Sequence, residues 1–349
     1  MPVINADKLK ALSVRIFEAV GVHADIAERV SSHLVESNLA GMDSHGVMRL
    51  AGYIEWVKAG SVAPDNRVEV LQDKGATVLL DAHSTFGPVA AASASDIAVN
   101  KARQFGIGLV TARDSSHIGR LGEYADQIAR QGFIGFICAN LQGGGQLVAP
   151  WGGREARLST NPMAWGIPTG ADPIILDCAT SASSEGKVRI KMRTGQKIPS
   201  TWALDAAGNA VTNPADFYGP PMGALLGAGG FKGYGLAIMF EALAGALSAG
   251  GCVQAPESVR LALQAFTVIA IDIETFLPLA GFTGMMDGMV DYLKSSAPQD
   301  PNGEILVPND PEIRERQRRS ANGIPIDDDT WQTIEDTARN LGVEIPALS

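Results

Sequence analysis

Two histidine-bearing segments in this chain carry residue types suited to moving a proton beside an anion. One reads Asp43-Ser44-His45-Gly46-Val47-Met48-Arg49, the other Asp114-Ser115-Ser116-His117-Ile118-Gly119-Arg120. Only five histidines occur in 349 residues, so two in matching settings stand out. Imidazole titrates near neutral pH and suits proton transfer. The pattern predicts a helix starting near Ser44, capped by Asp43 or Ser44. On that helix His45 and Arg49 stand at i and i+4, on one face. The helix N-terminus adds partial positive charge there. Arg49 would grip a carboxylate while His45 gives or takes a proton. The bland alternative is a surface helix with an ordinary cap. His117 follows the same logic at a strand-to-helix turn, with Ser115 and Ser116 as extra donors. Its bland alternative is a histidine that caps its own turn.

Two glycine-rich stretches follow, Gly143-Gly144-Gly145 and Gly227 to Gly235. The second fails as a dinucleotide fingerprint: Lys232 stands where the third glycine belongs, and no strand clearly precedes it. A glycine-rich turn feeding a helix still cradles phosphate through backbone N–H groups, and Lys232 would help. Its bland alternative is a tight packing turn. The run from Asp177 to Lys187 leaves a strand into a hydroxyl-rich turn that suits ribose or phosphate, or is simply a serine-rich loop. Metal binding is poorly supported, with no HxH, HExxH or paired-cysteine pattern. No GxSxG elbow exists, which disfavours a serine hydrolase.

The elements that position these residues are read from apolar periodicity. Leu9, Leu12, Ile16, Phe17 and Val20 form one helical stripe. A second helix spans roughly 24–40 and stops at Gly41; a third runs from the Ser44 region to Gly60. Thr77 to Asp81, Gly106 to Ala112 and Phe133 to Ala139 read as strands. The helix carrying Leu121, Tyr124 and Ile128 makes the middle a βαβ-like stretch. Residues 140–232 read mostly as ordered loop around a site, interrupted by a strand at Ile174 to Cys178. An apolar helix over Lys232 to Ala249, a strand over Ala265 to Ile273 and helices over Asp287–Lys294, Pro311–Ser320 and Asp329–Leu341 complete the chain. Residues 1–75 plus 285–349 are expected to form one mainly helical domain, and 76–284 an α/β cofactor-binding region.

Net charge is −10, without a run of basic residues, which disfavours nucleic acid and acidic membrane surfaces as partners. Any anionic ligand must be met by local cations. The longest uncharged stretch, Gly132 to Gly153, is broken by Asn140, Gln142, glycines and Pro150, so no membrane span is expected. Asp7, Lys8, Lys10, Arg15 and Glu18 leave the start without a signal-peptide core. Three scattered cysteines read as thiols in a reducing compartment, and the expected location is the cytoplasm.

Taken together, several stretches resemble the malate/L-lactate dehydrogenase family. This group includes ureidoglycolate, sulfolactate and hydroxycarboxylate dehydrogenases, diketogulonate reductase and cyclic-imine reductases. The matching pieces are Asn38 to Gly46, Ser116 to Arg120, Ala149 to Gly153, Ser159 to Pro162, Asp177 to Lys187, Lys232 to Leu236 and Gly323 to Pro325, in family order over nearly the whole chain.

The resemblance implies an α/β fold that is not the Rossmann fold, with a mixed sheet flanked by helices and a helical domain built from both termini. It implies NAD or NADP, with NAD slightly preferred, a small carboxylate substrate, and a homodimer with its site between domains. It makes His45 the proton donor to a substrate carbonyl, with Ser44 beside it, and His117 a second histidine with a relay role in some members. It places Arg49, Thr160 and Lys187 at the substrate. It places His117, Asn140, Asp177, Ala179, Thr180, Ser181, Lys232, Gly233, Asn309 and Asp310 at the cofactor.

Two departures stand out. The usual Pro-Gly-Glu is Pro308-Asn309-Asp310 here, and Ser183-Ser184-Glu185 is more polar than usual. The expected function is NAD(P)-dependent interconversion of a 2-hydroxy acid and its 2-oxo acid. The alternatives are a cyclic-imine reductase of the same family and a non-catalytic ligand-binding protein. Lys187, where imine reductases tend to carry Asp, leans toward oxo acids: a ketone developing negative charge prefers Lys, a cationic iminium a carboxylate.

Overall fold

The computed structural model describes residues 1–142, 145–254 and 263–345, so Gly143 and Gly144 of the first glycine stretch lie outside the described residues. The chain opens with β1 (Val3–Ile4), α1 (Ala6–Glu18) and α2 (Ala24–Leu39). The Asn5 side chain caps α1 by accepting from the Asp7 amide at 2.9 Å. Two 3₁₀ turns, Asp43–His45 and Val47–Arg49, precede α3 (Leu50–Lys58). Then come β2 (Glu69–Lys74), β3 (Thr77–Asp81), α4 (Gly87–Phe105), β4 (Ile107–Ser115), α5 (Gly122–Ala129) and β5 (Phe133–Leu141). β6 (Met163–Ile167), β7 (Ile174–Cys178), α6 (Glu185–Arg193), β8 (Ala203–Leu204), α7 (Pro214–Tyr218) and β9 (Ala224–Leu225) follow. α8 (Phe231–Phe240) continues as a π-helical turn, Glu241–Ala246. β10 (Gln264–Asp272), α9 (Leu279–Lys294), α10 (Asp310–Asn322), β11 (Ile324–Pro325) and α11 (Asp328–Asn340) end the described chain.

Seven strands form one mixed sheet in the order β2-β3-β4-β10-β5-β6-β7. Only β3 and β4 pair in parallel, around the α4 crossover; every other neighbouring pair is antiparallel. β4 and β5 therefore do not touch. β10, from late in the chain, lies between them, with Val268 opposite both Val110 and Ile137. Side chains alternate along the central strands. Ile137, Ala139, Phe266, Val268 and Ala270 pack toward α4 and α5. Phe136 and Cys138 pack on the other face against Phe240 and Ala244 of α8 and its π-helical extension.

A separate apolar core joins the two ends of the chain. Leu9, Ile16, Ile26 and Leu34 share it with Ile324, Trp331 and Ile334, and β1 pairs with β11. Phe86 and Val89 from the start of α4 also reach into it. Two helices, α4 and α6, lie where apolar spacing predicts none. α4 carries a weak apolar stripe because half of its ten buried residues are alanine and three more are Gly87, Pro88 and Ser95. α6 lies within the stretch read as loop; Ser184 caps it, accepting from the Lys187 amide at 3.4 Å. That cap, with Glu185 pairing Arg189 at i+4, accounts for the polar Ser183-Ser184-Glu185 run.

α4 lies so close to β4 that a Cβ on Gly108 would stand 2.0 Å from the Ala98 carbonyl oxygen. Gly108→Ala should therefore destabilise the protein by about 1–3 kcal/mol, as overpacking does. Gly52→Ala, at an exposed position of α3 with nothing within 4 Å of the new Cβ, should stabilise by about 0.5–1 kcal/mol. Urea midpoints measure both; a shift in the same direction for both variants contradicts this packing.

Candidate active site

The expected helix start at Ser44 is corrected. Gly46 is extended, with φ −86° and ψ −155°, and splits the segment into two short turns. His45 and Arg49 are therefore not i and i+4 neighbours on one α-helix, and no helix N-terminus lies under His45. The cause is Asn38 at the end of α2. Its side-chain oxygen accepts the Val47 amide at 2.8 Å, and a Cβ on Gly46 would stand 2.3 Å from that oxygen. The Asn38 amide donates to Asp43 at 2.6 Å. Arg319, from α10, holds the Asp43 carboxylate at 2.6 and 3.0 Å and the Asn38 carbonyl at 2.8 Å. Arg49 nonetheless returns to the same turn: its Nε donates to the Ser44 carbonyl at 2.7 Å.

His117 lies in the irregular segment between β4 and α5, not on the first turn of α5, which begins at Gly122. The N-terminal amide of that helix is met by Asp177, whose Oδ2 accepts from Gly122 at 2.7 Å. Ser115 and Ser116, expected as ligand donors, are buried and used internally. Ser116 Oγ accepts the Gly87 amide at 2.9 Å, and Ser115 Oγ donates to the Ser116 carbonyl at 3.0 Å.

The fold brings the two histidines face to face. Their rings stack with centroids 5.8 Å apart and 16° between planes. Each Nδ1 meets a hydroxyl: Ser44 Oγ lies 3.0 Å from His45 Nδ1, and Tyr53 Oη 2.7 Å from His117 Nδ1. Tyr53, on α3, was missed by the sequence reading; its signal was a tyrosine four residues beyond Arg49. It is almost fully buried, and burial holds its phenol well above the usual value, so it keeps a proton to donate. With the Tyr53 hydroxyl donating at Nδ1, the neutral His117 ring would carry its proton on Nε2. Burial, then the Arg49 cation, then His33 and Arg120 push His45 down to about 3. Burial, then His45 and Arg49, hold His117 well below the ordinary histidine range. Both rings are therefore neutral near pH 7.

The remaining expected residues divide. Lys187, on α6, and Lys232, on the first turn of α8, are exposed, and neither makes an ion pair among the described residues. Gly229 and Gly230 enter α8 at φ +58° and +68°, and no side chain caps that helix. Gly233 packs under Thr180: a Cβ there would stand 2.2 Å from the Thr180 carbonyl oxygen. The two candidate cofactor segments thus lie against each other.

Several hydroxyls and amides expected at a ligand are instead occupied. Thr180 Oγ1 donates to the Thr160 carbonyl at 2.9 Å and Ser181 Oγ to the Ser183 carbonyl at 2.7 Å. Asn140 is buried and its amide bonds Glu241 and the Gly251 carbonyl, each at 3.0 Å. Asp310 pairs with Lys294 at 2.7 Å and accepts from the Val307 amide. Asn309 holds φ +89°, which explains the departure from glycine: Asn enters the left-handed region more readily than most residues. Its amide donates to the Pro173 carbonyl at 2.8 Å. It also lines a cavity of about 220 Å³ with Arg120, Gly122, Arg130 and Arg316. Arg120 is buried, and its Nε has no hydrogen-bond partner among the described residues. Ala179 is half-buried on the connection between β7 and α6.

A mixed sheet flanked by α4, α5 and α8, joined to a helical core built from both termini, with a histidine pair and an arginine at the junction, is the architecture of a non-Rossmann dehydrogenase class. Residues 4–335 match the family model described as malate/L-lactate dehydrogenase, and the chain belongs to that family. It is 36% identical to hydroxycarboxylate dehydrogenase B of Escherichia coli over 97% of this chain and 94% of that protein. The malate dehydrogenase structure from Pyrococcus horikoshii superimposes with a TM-score of 0.89 at 32% identity, covering 99% of this chain and 97% of that one. The structure of Δ1-piperideine-2-carboxylate reductase from Pseudomonas syringae pvar. tomato gives 0.85 at 29% identity, covering 97% of this chain and all (100%) of that one.

The lowered His45 value makes a signed prediction. The unfolded state binds that proton more readily below pH about 6.5, so the histidine's contribution to stability is complete above that pH. It falls away as pH drops toward 3, at up to about 1.4 kcal/mol per pH unit. His45→Gln should therefore lose less stability than the parent between pH about 6.5 and about 4.5, read from urea midpoints. Parallel losses in parent and variant contradict a neutral His45.

Proposed function

We propose that the protein is a nicotinamide-dependent oxidoreductase interconverting a small 2-hydroxy acid and its 2-oxo acid. The observation that carries this reading is the stacked His45–His117 pair beside the Arg49 guanidinium. Arg49 spends its Nε on the Ser44 carbonyl, which fixes the planar group next to His45 and leaves the two terminal nitrogens for a carboxylate. That grip sets the substrate's C2 oxygen against the imidazoles. In the oxidative direction neutral His45 accepts the hydroxyl proton. A carboxylate held by Arg49 offsets one of the charges that depress His45, and so raises its proton affinity when substrate binds. The Nε2–H of His117 hydrogen-bonds the same oxygen or passes the proton on. The bound nicotinamide supplies or takes the hydride at C2.

The chain's donor set fits such a cofactor. The uncapped start of α8 and the unpaired Lys232 suit a phosphate, with Gly233 beneath. Asp177 and the cavity lined by Asn309 and Arg120 suit ribose and base, and the unpartnered Arg120 Nε is a donor awaiting an acceptor. The other two cations there are already matched, Arg130 with Asp126 and Asp172 and Arg316 with Glu36. This favours the 2′-hydroxyl of NAD over the 2′-phosphate of NADP. Thr160 and Lys187 complete the substrate side. Lys187, exposed and without a carboxylate partner among the described residues, suits an oxo acid better than a cationic imine, the second reading.

α9 has no buried residue and exposes Met285, Met289, Tyr292 and Leu293, an apolar face that a second copy of the chain would cover. This supports a homodimer. Three cysteines without disulfide partners support the cytoplasm.

Absorbance of the reduced nicotinamide with a panel of 2-oxo acids, and with a cyclic imine, tests the reading. His45→Ala should lower turnover by roughly 10²–10⁴-fold with cofactor affinity little changed; near-normal turnover removes His45 from the proton path. Arg49→Lys should lower kcat/KM for the oxo acid, because an ammonium cannot hold both the Ser44 carbonyl and a carboxylate in two-point geometry. An unchanged kcat/KM in that variant takes the carboxylate away from Arg49.

A further inference from the structure

Beneath the His117 segment lies a buried polar cluster that the mechanism above does not use. His33, on α2, is fully buried. Its Nε2 accepts the Arg120 backbone amide at 3.0 Å, and its Nδ1 lies 2.5 Å from Glu123 Oε2. Tyr124 stacks on the His33 ring at 5.5 Å and donates its hydroxyl to the Ile118 carbonyl at 2.5 Å. Arg29 donates to Glu123 at 2.6 Å and to the Pro88 carbonyl at 3.2 Å. Gly119, at φ +73°, presses on the histidine: a Cβ there would stand 1.9 Å from His33 Nε2.

These contacts define the state of His33. An N–H pointing at Nε2 requires a lone pair there, so the proton of the neutral ring is on Nδ1 and faces Glu123. Burial alone would raise the Glu123 carboxyl, but His33, Arg29 and Arg120 outweigh it and hold it well below the ordinary range. The carboxylate orients the ring, and the ring holds the backbone three residues beyond His117. Tyr124 and the Gln264 side chain, which accepts the Ile118 amide at 2.7 Å, hold Ile118, directly after His117. The groups facing His33 are thus Glu123, Arg29, Arg120 and Tyr124, with His45 and His117 beyond them.

We propose that the buried His33–Glu123 pair is a positioning device that sets the depth of the His117 imidazole against His45 by holding the Arg120 amide. The proposal rests on the reading of His45 and His117 as the proton-handling pair. A loop loosened here moves His117, and with Arg120 one wall of the cofactor cavity, but leaves Arg49 in place, so the effect falls on kcat and on cofactor affinity rather than on binding of the carboxylate substrate.

Three readouts test it on the full-length protein. His33→Leu cannot accept the amide and should lower kcat at least tenfold, with KM for a 2-oxo acid within about twofold of the parent. His33→Gln can accept from Arg120 and donate to Glu123, and should recover kcat to within about threefold. Nitrogen NMR of the parent should show His33 protonated at Nδ1 and bare at Nε2. The His117 ring signals should be unchanged in His33→Gln and displaced in His33→Leu. An Nε2-protonated His33, equal losses in both variants, or unmoved His117 signals in His33→Leu would overturn the proposal. The NMR arms need no turnover and decide the point even where His33→Leu is poorly active. A parent inactive on every 2-oxo acid would instead count against the proposed function.

Discussion

The Arg319–Asp43 ion pair is the constraint on which the site depends. A buried guanidinium from α10 makes two bonds to one carboxylate and a third to the Asn38 carbonyl. It thereby ties the last part of the chain to the turn that carries Ser44 and His45. Taking the guanidinium out of water is expensive, although the Asp43 carboxylate stays half-exposed and Glu315 also pairs with the cation. The structure meets that cost with geometry: Asn38 bonds Asp43 with its amide and Val47 with its oxygen, and Gly46 leaves room for it. The turn can only take this shape while α2 and α10 are packed together. This gives a physical reason for both ends of the chain to share one apolar core.

The second histidine arrives by an independent route. His117 is carried by the segment after β4, whose position is set by the central sheet and by α4, where Gly87 lies against the His117 backbone. The histidine pair is thus formed where the terminal core meets the sheet core, and Phe86 and Val89 bridge the two. Electrostatics follow from this placement. Two imidazoles beside Arg49 and partly out of water cannot both hold protons, so the resting site is neutral and ready to accept one.

Much of this was legible in the sequence. α1, α2, five of the seven strands of the sheet and the closing helices follow from apolar spacing, whereas β2 and β6 do not, and the two His segments are visible by composition alone. What was not legible has identifiable physical causes. Helix periodicity continued through Gly46, and nothing local reveals that Asn38, eight residues earlier, would claim the Val47 amide. α4 packs by alanine, although Pro88 near its start and Gly106 at φ +80° just past its end were usable boundary signals. The hydroxyls of Ser115, Ser116, Thr180 and Ser181 looked available to ligands because a one-dimensional reading cannot show which backbone carbonyls and amides they satisfy. Asn309 shows the opposite case: a departure from the family pattern keeps the backbone conformation that the pattern encodes.

The most direct test follows the hydride itself. The intact protein is incubated with C2-deuterated 2-hydroxy acids and NAD or NADP, and the reduced cofactor is analysed for label. The account predicts deuterium on the nicotinamide ring with at least one small 2-hydroxy acid, and a primary isotope effect under single-turnover conditions. A protein that binds the cofactor yet transfers no label from any member of the panel would contradict it.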